Sequence, residues 1–138
     1  MNPTNEINRF VVHHSASDPD KTTVADIRKW HVKENGWDDV GYHRIITGLG
    51  MIEEGRDLTY VPAAQAGHNS GTFTVCVIGD NTKAKHMWRR EQVSALIRLY
   101  AAVRVIWPSI EPFGHRDLSS GTECPGLDIR PMLMGPRY

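Results

Sequence analysis

The sequence predicts an α/β (α+β) fold in a single domain, with a mixed central β-sheet flanked by helices. Three observations lead to this prediction. The chain has 138 residues, enough for one sizeable core. Predicted strands and helices alternate along it, and it contains no internal repeat or low-complexity linker. Alternating elements place helices over the faces of a sheet, so we expect one domain over residues 1–138, with its core over about 7–134.

The first half of the chain predicts a strand, a helix and a hairpin. Residues 7–14 are apolar enough for a strand buried on both faces. A helix is expected over about 24–34, because Thr23 and Asp26 have the spacing of a capping box. Residues 35–36 (Asn-Gly) then stop it. Strands over 40–47 and 51–54 would form a hairpin around residues 48–50. The inward stripe of the helix would be Val24, Ile27, Trp30 and His31.

The second half predicts a cleft wall, a central strand and a long helix. Residues 60–70 are irregular and rich in Ala and Gly, which suits the wall of a cleft. A central strand is expected over 73–78, and a helix over 90–107 that ends before Pro108. A short strand over 110–114 and a terminal helix over 128–134 complete the order. The inward stripe of the long helix would be Val93, Leu96, Ile97, Tyr100 and Val103.

Charge and hydropathy argue against two classes of partner. The chain has 16 Lys and Arg against 16 Asp and Glu, so its formal charge is zero. This balance disfavours nucleic acid or an anionic membrane as the main partner. No apolar run reaches the roughly 20 residues of a membrane helix, and residues 1–6 are polar, unlike a secretory signal. We therefore expect synthesis in the cytoplasm, no membrane insertion and a monomeric protein.

Two histidines and one cysteine form the strongest candidate site. His13 ends the first predicted strand, His115 follows the last one, and Cys124 lies across a short polar loop from His115. That loop can fold His115 and Cys124 onto one ion, while His13 can emerge from the sheet into a cleft. Two imidazoles and one thiolate suit Zn²⁺, and three protein ligands leave a fourth position for water. This is the ligand count of a catalytic site, so the pattern predicts a zinc hydrolase.

Other reactive side chains have simpler interpretations. His14 follows His13 on a strand, where successive side chains point to opposite faces, so we predict that His14 is not a ligand. Cys76 lies in an apolar strand and is expected to be a buried thiol, with a disulfide to the second cysteine as the alternative. His68 and Asn69, in the predicted cleft wall, are candidate substrate contacts.

Six short motifs occur in order along the chain: VHHSA at 12–16, WDDVGYH at 37–43, GRD at 55–57, GHNSG at 67–71, VCVIG at 75–79, and GHRD at 114–117 with CPG at 124–126. In these motifs the chain resembles the type 2 N-acetylmuramoyl-L-alanine amidases, in particular small phage lysozymes of that type and the related peptidoglycan-recognition proteins. The resemblance implies a zinc hydrolase that acts on peptidoglycan. It would cut the amide between N-acetylmuramic acid and the L-alanine of the stem peptide.

The resemblance also assigns roles to particular residues. The family's zinc ligands fall on His13, His115 and Cys124, its active-site tyrosine on Tyr42, and its second catalytic position on Thr122. Phage lysozymes of this family carry lysine at the last position, whereas many recognition proteins with amidase activity carry threonine. Both hydroxyls can donate to a developing oxyanion. Packing of the tyrosine and local backbone bonding by the threonine are the alternatives.

Three functions are compatible with these patterns. The leading hypothesis is a zinc amidase that degrades peptidoglycan as a phage or prophage endolysin, made in the host cytoplasm and acting on the wall after release. The alternative is a non-catalytic protein that binds muropeptides, and retention of Cys124 argues against it. A purely structural zinc site would need a fourth protein ligand.

Overall fold

The fold is taken from a computed structural model that describes residues 6–135. Residues 1–5 and 136–138 lie outside the described part, and with them most of the polar N-terminus and both ends of the expected domain. Within the described part, no helix is long and apolar enough to cross a membrane. The strands are β1 (Arg9–His14), β2 (Arg44–Ile46), β3 (Ile52–Glu54), β4 (Thr72–Val77) and β5 (Glu111–Gly114). The α-helices are α1 (Val24–Lys29), α2 (Arg90–Ile106), α3 (His115–Leu118) and α4 (Arg130–Met134).

The strands form one mixed sheet in the order β3-β2-β4-β1-β5, which confirms the predicted central sheet flanked by helices. β1 lies parallel to both β4 and β5, and β2 lies parallel to β4. β3 is antiparallel to β2 because a tight hairpin joins them, in which Gly50 has φ +84°. Parallel neighbours end at the same edge of a sheet. The end of β1 therefore lies beside the segment that follows β5.

The two faces of this sheet are buried by different layers. Side chains alternate along a strand, so one face of the sheet receives Phe10 and Val12 from β1 and Phe73, Val75 and Val77 from β4; we call it the α2 face. There they pack on residues of α2 and on Ile129 before α4. The opposite face, which we call the polar face, receives His13 from β1 and three residues of β4. Those three are Thr72, Thr74 and Cys76.

The first helix begins as predicted and ends differently. The Asp26 N–H donates to Thr23 Oγ1 at 3.1 Å, and the Thr23 N–H donates to an Asp26 carboxylate oxygen at 2.9 Å, so the capping box is present. After Lys29 the chain makes one π-helical turn over Trp30–Glu34, closed by the Asn35 N–H on the Trp30 carbonyl. Trp30, which the stripe predicted to face inward, is 38% exposed.

The strand predicted over 40–47 is shorter, since β2 begins at Arg44. The reason is that backbone groups of residues 40–41 form hydrogen bonds with side chains. The Val40 carbonyl accepts from Arg56 Nε at 3.0 Å, and the Gly41 N–H donates to His31 Nδ1 at 2.8 Å. These groups therefore do not pair with a neighbouring strand, and the chain stays irregular until His43.

The long helix has the predicted length, but its inward stripe is rotated. Leu96, Tyr100 and Val103 are buried as predicted, whereas Ile97 is 41% exposed. Gln92 is buried instead, because its side chain bonds backbone groups at both of its polar atoms. Its Oε1 accepts from the Arg89 N–H at 2.9 Å, and its Nε2 donates to the Ile78 carbonyl at 2.6 Å.

Candidate metal centre

Three predicted ligands meet at the edge where β1 and β5 end. His13 lies near the end of β1, His115 is the first residue of α3 directly after β5, and Cys124 follows the loop after α3. One donor atom from each residue lies within 4.8 Å of the other two. The parallel pairing of β1 and β5 accounts for the first two positions, and the loop brings in the third.

The donor set fits zinc in both chemistry and spacing. Zinc bonds of about 2.0 Å to nitrogen and 2.3 Å to sulfur, at a tetrahedral angle, hold the two donor atoms roughly 3.6 Å apart. His13 Nδ1 and Cys124 Sγ are 3.6 Å apart. The rings of His13 and His115 have centroids 4.5 Å apart. The three side chains could therefore bind one tetrahedral ion with little rearrangement.

Burial sets the protonation of these donors. The pKa of His13 is lowered from 6.5 to about 3, first by burial and then by the neighbouring His115. The pKa of His115 is also lowered, first by burial and then by His68. Burial raises the pKa of the Cys124 thiol to about 12. Both imidazoles are therefore neutral near pH 7 and keep an electron pair for a cation.

Cys124 lies on a loop that several backbone contacts fix. The Arg116 N–H donates to the Cys124 carbonyl at 2.7 Å, and the His14 N–H donates to Cys124 Sγ at 3.3 Å. Asn81 Nδ2 donates to the Pro125 carbonyl at 2.8 Å. Because Asn81 follows β4, the segment after that strand also anchors this loop. Both cysteines of the chain are free thiols, so the alternative of a disulfide between them is wrong.

Tyr42 and Thr122, the two predicted hydroxyl donors, differ in their surroundings. The Tyr42 ring lies 5.2 Å from the His13 ring, and the Cys76 thiol is near enough to help raise the Tyr42 pKa. Burial raises the pKa of Tyr42 well above 10, so the phenol keeps its proton. Thr122 Oγ1 accepts from the Cys124 N–H at 3.1 Å. Its hydroxyl hydrogen is left available beside the cysteine.

His68 and Asn69 lie in the irregular segment over the polar face, as the sequence predicts for a cleft wall. His68 is close enough to His115 to lower its pKa. Asn69 Oδ1 accepts from the Ala64 and Gln65 N–H groups, both at 2.9 Å, and so closes the turn that holds His68. Asn69 also lines a cavity of about 560 Å³ together with Trp37 and Arg56.

His14 lies outside the donor cluster, as predicted from strand alternation. Its Nδ1 accepts from the Asn81 N–H at 3.2 Å, and Asp80 lies 3.9 Å away. His31 is a packed ring between Trp37 and Tyr42, with ring centroids 4.6 and 5.4 Å away. Neither histidine belongs to the donor cluster, but both contact residues of the site: His31 packs against Tyr42, and the His14 N–H donates to Cys124 Sγ.

Gln65 is the residue that sequence reasoning missed. It is fully buried, and its Oε1 lies 2.8 Å from His13 Nε2, the ring nitrogen that faces away from Cys124. A lone glutamine in an irregular segment carries no periodic or motif signal. Its contact with His13 follows only from the path of residues 60–70 across the sheet.

Comparisons with known proteins point to one family. The profile of the family described as N-acetylmuramoyl-L-alanine amidase matches residues 3–127. An endolysin of Enterobacteria phage K11 is 36% identical over 131 residues, covering 91% of this chain and 84% of that one. Peptidoglycan-recognition protein LB of Drosophila melanogaster is 32% identical, covering 84% of this chain and 53% of that one. The solved structure of an endolysin N-acetylmuramoyl-L-alanine amidase, LysCS, from Clostridium intestinale URNW superposes with a TM-score of 0.80 at 28% identity, covering 89% of this chain and 77% of that one.

Proposed function

The chain belongs to the N-acetylmuramoyl-L-alanine amidase family, and from that premise we propose that it is a zinc-dependent hydrolase of peptidoglycan. It cuts the amide between the lactyl group of N-acetylmuramic acid and the L-alanine of the stem peptide. The observation that carries the proposal is the meeting of His13, His115 and Cys124 donor atoms within 4.8 Å. A recognition protein that only binds its ligand has no need of this donor set.

In the proposed site, His13, His115 and Cys124 hold the zinc. When bound, zinc would polarise the amide carbonyl and lower the pKa of water, which an unreactive amide needs for attack. Two neutral imidazoles and one thiolate would give the zinc-loaded centre a net charge of +1. The His14 N–H, 3.3 Å from Cys124 Sγ, stabilises that negative sulfur.

Tyr42 and Thr122 then donate hydrogen bonds to the negative charge that develops on the substrate oxygen. Tyr42 keeps its proton near pH 7 because burial raises its pKa, so its hydroxyl can donate to the substrate oxygen. Thr122 already accepts from the Cys124 N–H, which leaves its own hydrogen to donate. Preorganised donors of this kind contribute to a transition state without a cost of reorganisation.

Peptidoglycan is the proposed partner, and His68 and Asn69 are the proposed substrate contacts. His68 is electrostatically coupled to His115, so it borders the centre. The endolysin relatives support a role as a phage or prophage endolysin, synthesised in the cytoplasm and acting on the cell wall after release. We propose that the chain acts as a monomer without inserting into a membrane.

Digestion of purified peptidoglycan tests the proposal. The zinc-loaded protein should release stem peptides with a free L-alanine amine and leave the glycan strands intact, and a chelator should abolish the release. His115→Ala and Cys124→Ser should each lose zinc and activity. His86→Ala is the matched histidine control, because His86 lies 3.7 Å from Asp18 on a separate turn.

The products separate the alternatives. New reducing sugar ends that form equally well with chelator present would show a glycosidase and overturn the amidase proposal. Zinc-loaded protein that binds peptidoglycan but releases no peptide would instead favour the recognition function, for which the relationship to peptidoglycan-recognition protein LB is the supporting observation.

A further inference from the structure

Gln65 lies between the metal centre and the backbone beneath it. It is fully buried, and each polar atom of its amide has a partner. Oε1 lies 2.8 Å from His13 Nε2. Nε2 donates to the His68 carbonyl at 3.1 Å and to Thr72 Oγ1 at 3.0 Å. Gln65 thus joins one candidate ligand to a loop and to strand β4.

Two backbone carbonyls, which can only accept, fix the direction of every hydrogen bond in the series that links His13, Gln65 and Thr72. The His68 carbonyl requires the amide nitrogen of Gln65 on its side. Thr72 Oγ1 donates its hydrogen to the Asn69 carbonyl at 2.7 Å, so it can only accept from Gln65. The amide oxygen of Gln65 must therefore face His13. A carbonyl oxygen needs a donor, so His13 Nε2 carries the ring hydrogen.

This order determines which nitrogen of His13 can bind a metal. A neutral imidazole has one N–H and one lone pair. With the hydrogen on Nε2, the lone pair lies on Nδ1, and Nδ1 is the atom that lies 3.6 Å from Cys124 Sγ. The opposite tautomer would turn an N–H toward the thiol and set two lone pairs, on His13 and Gln65, against each other.

We propose that Gln65 is a positioning residue: it holds His13 in the Nε2–H tautomer, with Nδ1 directed at the position shared with His115 and Cys124. The metal-binding half of this inference rests on the proposed function. The tautomer half stands on the hydrogen bonds alone and applies to the metal-free protein. Partners of this kind raise metal affinity by about 10- to 100-fold when they orient a ligand imidazole.

Two substitutions at Gln65 separate positioning from loop support. Gln65→Met removes the acceptor for His13 and also the donors to the His68 carbonyl and to Thr72 Oγ1. Gln65→Glu keeps an acceptor for His13 but cannot donate to the His68 carbonyl. Gln92→Met is the matched control, because Gln92 is equally buried and also bonds two backbone groups, but on the α2 face.

Nitrogen NMR of the imidazole rings in the metal-free protein gives the first measurement, with the His13 signals assigned by their loss in His13→Ala. Wild type, Gln65→Glu and Gln92→Met should show His13 as the Nε2–H tautomer, and Gln65→Met should show a mixture. Competition with a chelator gives the second. Zinc affinity should fall by about 10- to 100-fold in Gln65→Met, fall much less in Gln65→Glu and stay unchanged in Gln92→Met.

The outcomes distinguish the two proposals. Wild-type protein that binds no zinc would overturn the proposed function, while the tautomer measurement would still decide the role of Gln65. Wild-type protein that binds zinc, with unchanged affinity and an unchanged tautomer in Gln65→Met, would overturn the inference about Gln65. Equal loss in Gln65→Glu and Gln65→Met would also overturn it, because the loop and not the acceptor would then be responsible.

Discussion

The α2 face and the polar face of the sheet are both closed to solvent but are built from different chemistry. On β4, all six residues are buried. Phe73, Val75 and Val77 pack on α2 with apolar side chains, while on the other side Thr72 bonds Gln65 and Cys76 lies beside His13 in the sheet. One strand thus serves as core on one face and as the floor of a site on the other.

The difference between the faces concerns what fixes a side chain in place. Apolar burial is favourable without any directional partner, at about 25 cal/mol per Å². A buried polar group is costly unless it finds a partner with the right geometry. The α2 face therefore contributes chiefly stability. The polar face contributes orientation around His13, beside a smaller apolar cluster that includes Ile27 and Ile45. Substitutions on the two faces should change different measured quantities.

The largest expected effect is on the α2 face. Phe10 stacks on Phe73 with ring centroids 5.5 Å apart and meets Tyr100 edge-on at 5.1 Å. Phe10→Ala should lower the free energy of unfolding by about 3–5 kcal/mol, as for other large aromatic truncations. Urea unfolding measures this, and Phe10→Leu gives a milder variant should the first fail to fold.

Zinc titration of the same variants tests the separation of the faces. Phe10 points away from His13, so the folded fraction of Phe10→Leu should bind zinc with wild-type affinity. A fall in affinity that matches the loss of stability would show that the two faces do not act independently.

The next effect concerns rate instead of stability. Tyr42→Phe on the polar face should lower turnover by about 10- to 1000-fold, because it removes a donor to the developing oxyanion. Zinc content and folding should not change. Tyr100→Phe is the matched control on the α2 face, where the hydroxyl donates to the Ile110 carbonyl at 3.4 Å. Equal turnover in the two variants would return Tyr42 to a packing role.

The same contrast explains what the sequence could predict. The α2 face was predictable because apolar spacing reports burial directly, and Leu96, Tyr100 and Val103 follow it. The grouping of His13, His115 and Cys124 was predictable because few residue types suit zinc, and because the motifs around them resemble those of a known family. In both cases the signal can be read from residues close together in the sequence.

The remaining features depend on pairings that no local pattern encodes. Gln65 becomes part of the site only through a contact with His13, 52 positions earlier in the chain. Residues 40–43 read as a strand, yet Arg56 and His31 take the backbone groups of Val40 and Gly41. Polar side chains that bond distant backbone groups override local propensity, around the site and, at Gln92, on the α2 face as well.

A third prediction uses His43, a buried histidine at the start of β2. Its Nδ1 accepts from the Thr74 N–H at 3.1 Å, so its Nε2 donates to the Tyr60 carbonyl at 2.9 Å. A second ring proton would sit on Nδ1, where it would face the Thr74 N–H and remove that hydrogen bond. The pKa of His43 is lowered to about 4, chiefly by burial. That value includes an opposing contribution from the Tyr60 hydrogen bond, lowering by the charges of Arg44 and Arg56, and raising by Asp57.

The pH dependence follows from this lowered pKa. The unfolded chain protonates His43 below about pH 6.5, whereas the folded protein does so only below about pH 4. The contribution of His43 to stability is therefore complete above pH 6.5 and falls by about 1.4 kcal/mol per pH unit toward pH 4. Urea unfolding at several pH values should show a shallower slope in His43→Gln. An unchanged slope would mean that His43 does not titrate in this window.

The smallest effect tests whether polarity itself or its pairing defines the polar face. Thr74 Oγ1 is buried with no hydrogen-bond partner among the described residues, while Thr72 Oγ1, two positions earlier on the same face, bonds both Gln65 and Asn69. Thr74→Val replaces the hydroxyl with a methyl of the same shape and should raise stability by about 1 kcal/mol. Thr72→Val should lower it by about 1–3 kcal/mol, because it strands the Gln65 amide. If urea unfolding showed the same loss in both, the Thr74 hydroxyl would have a partner after all, and the polar face would require every one of its hydroxyls instead of only those that lead to His13.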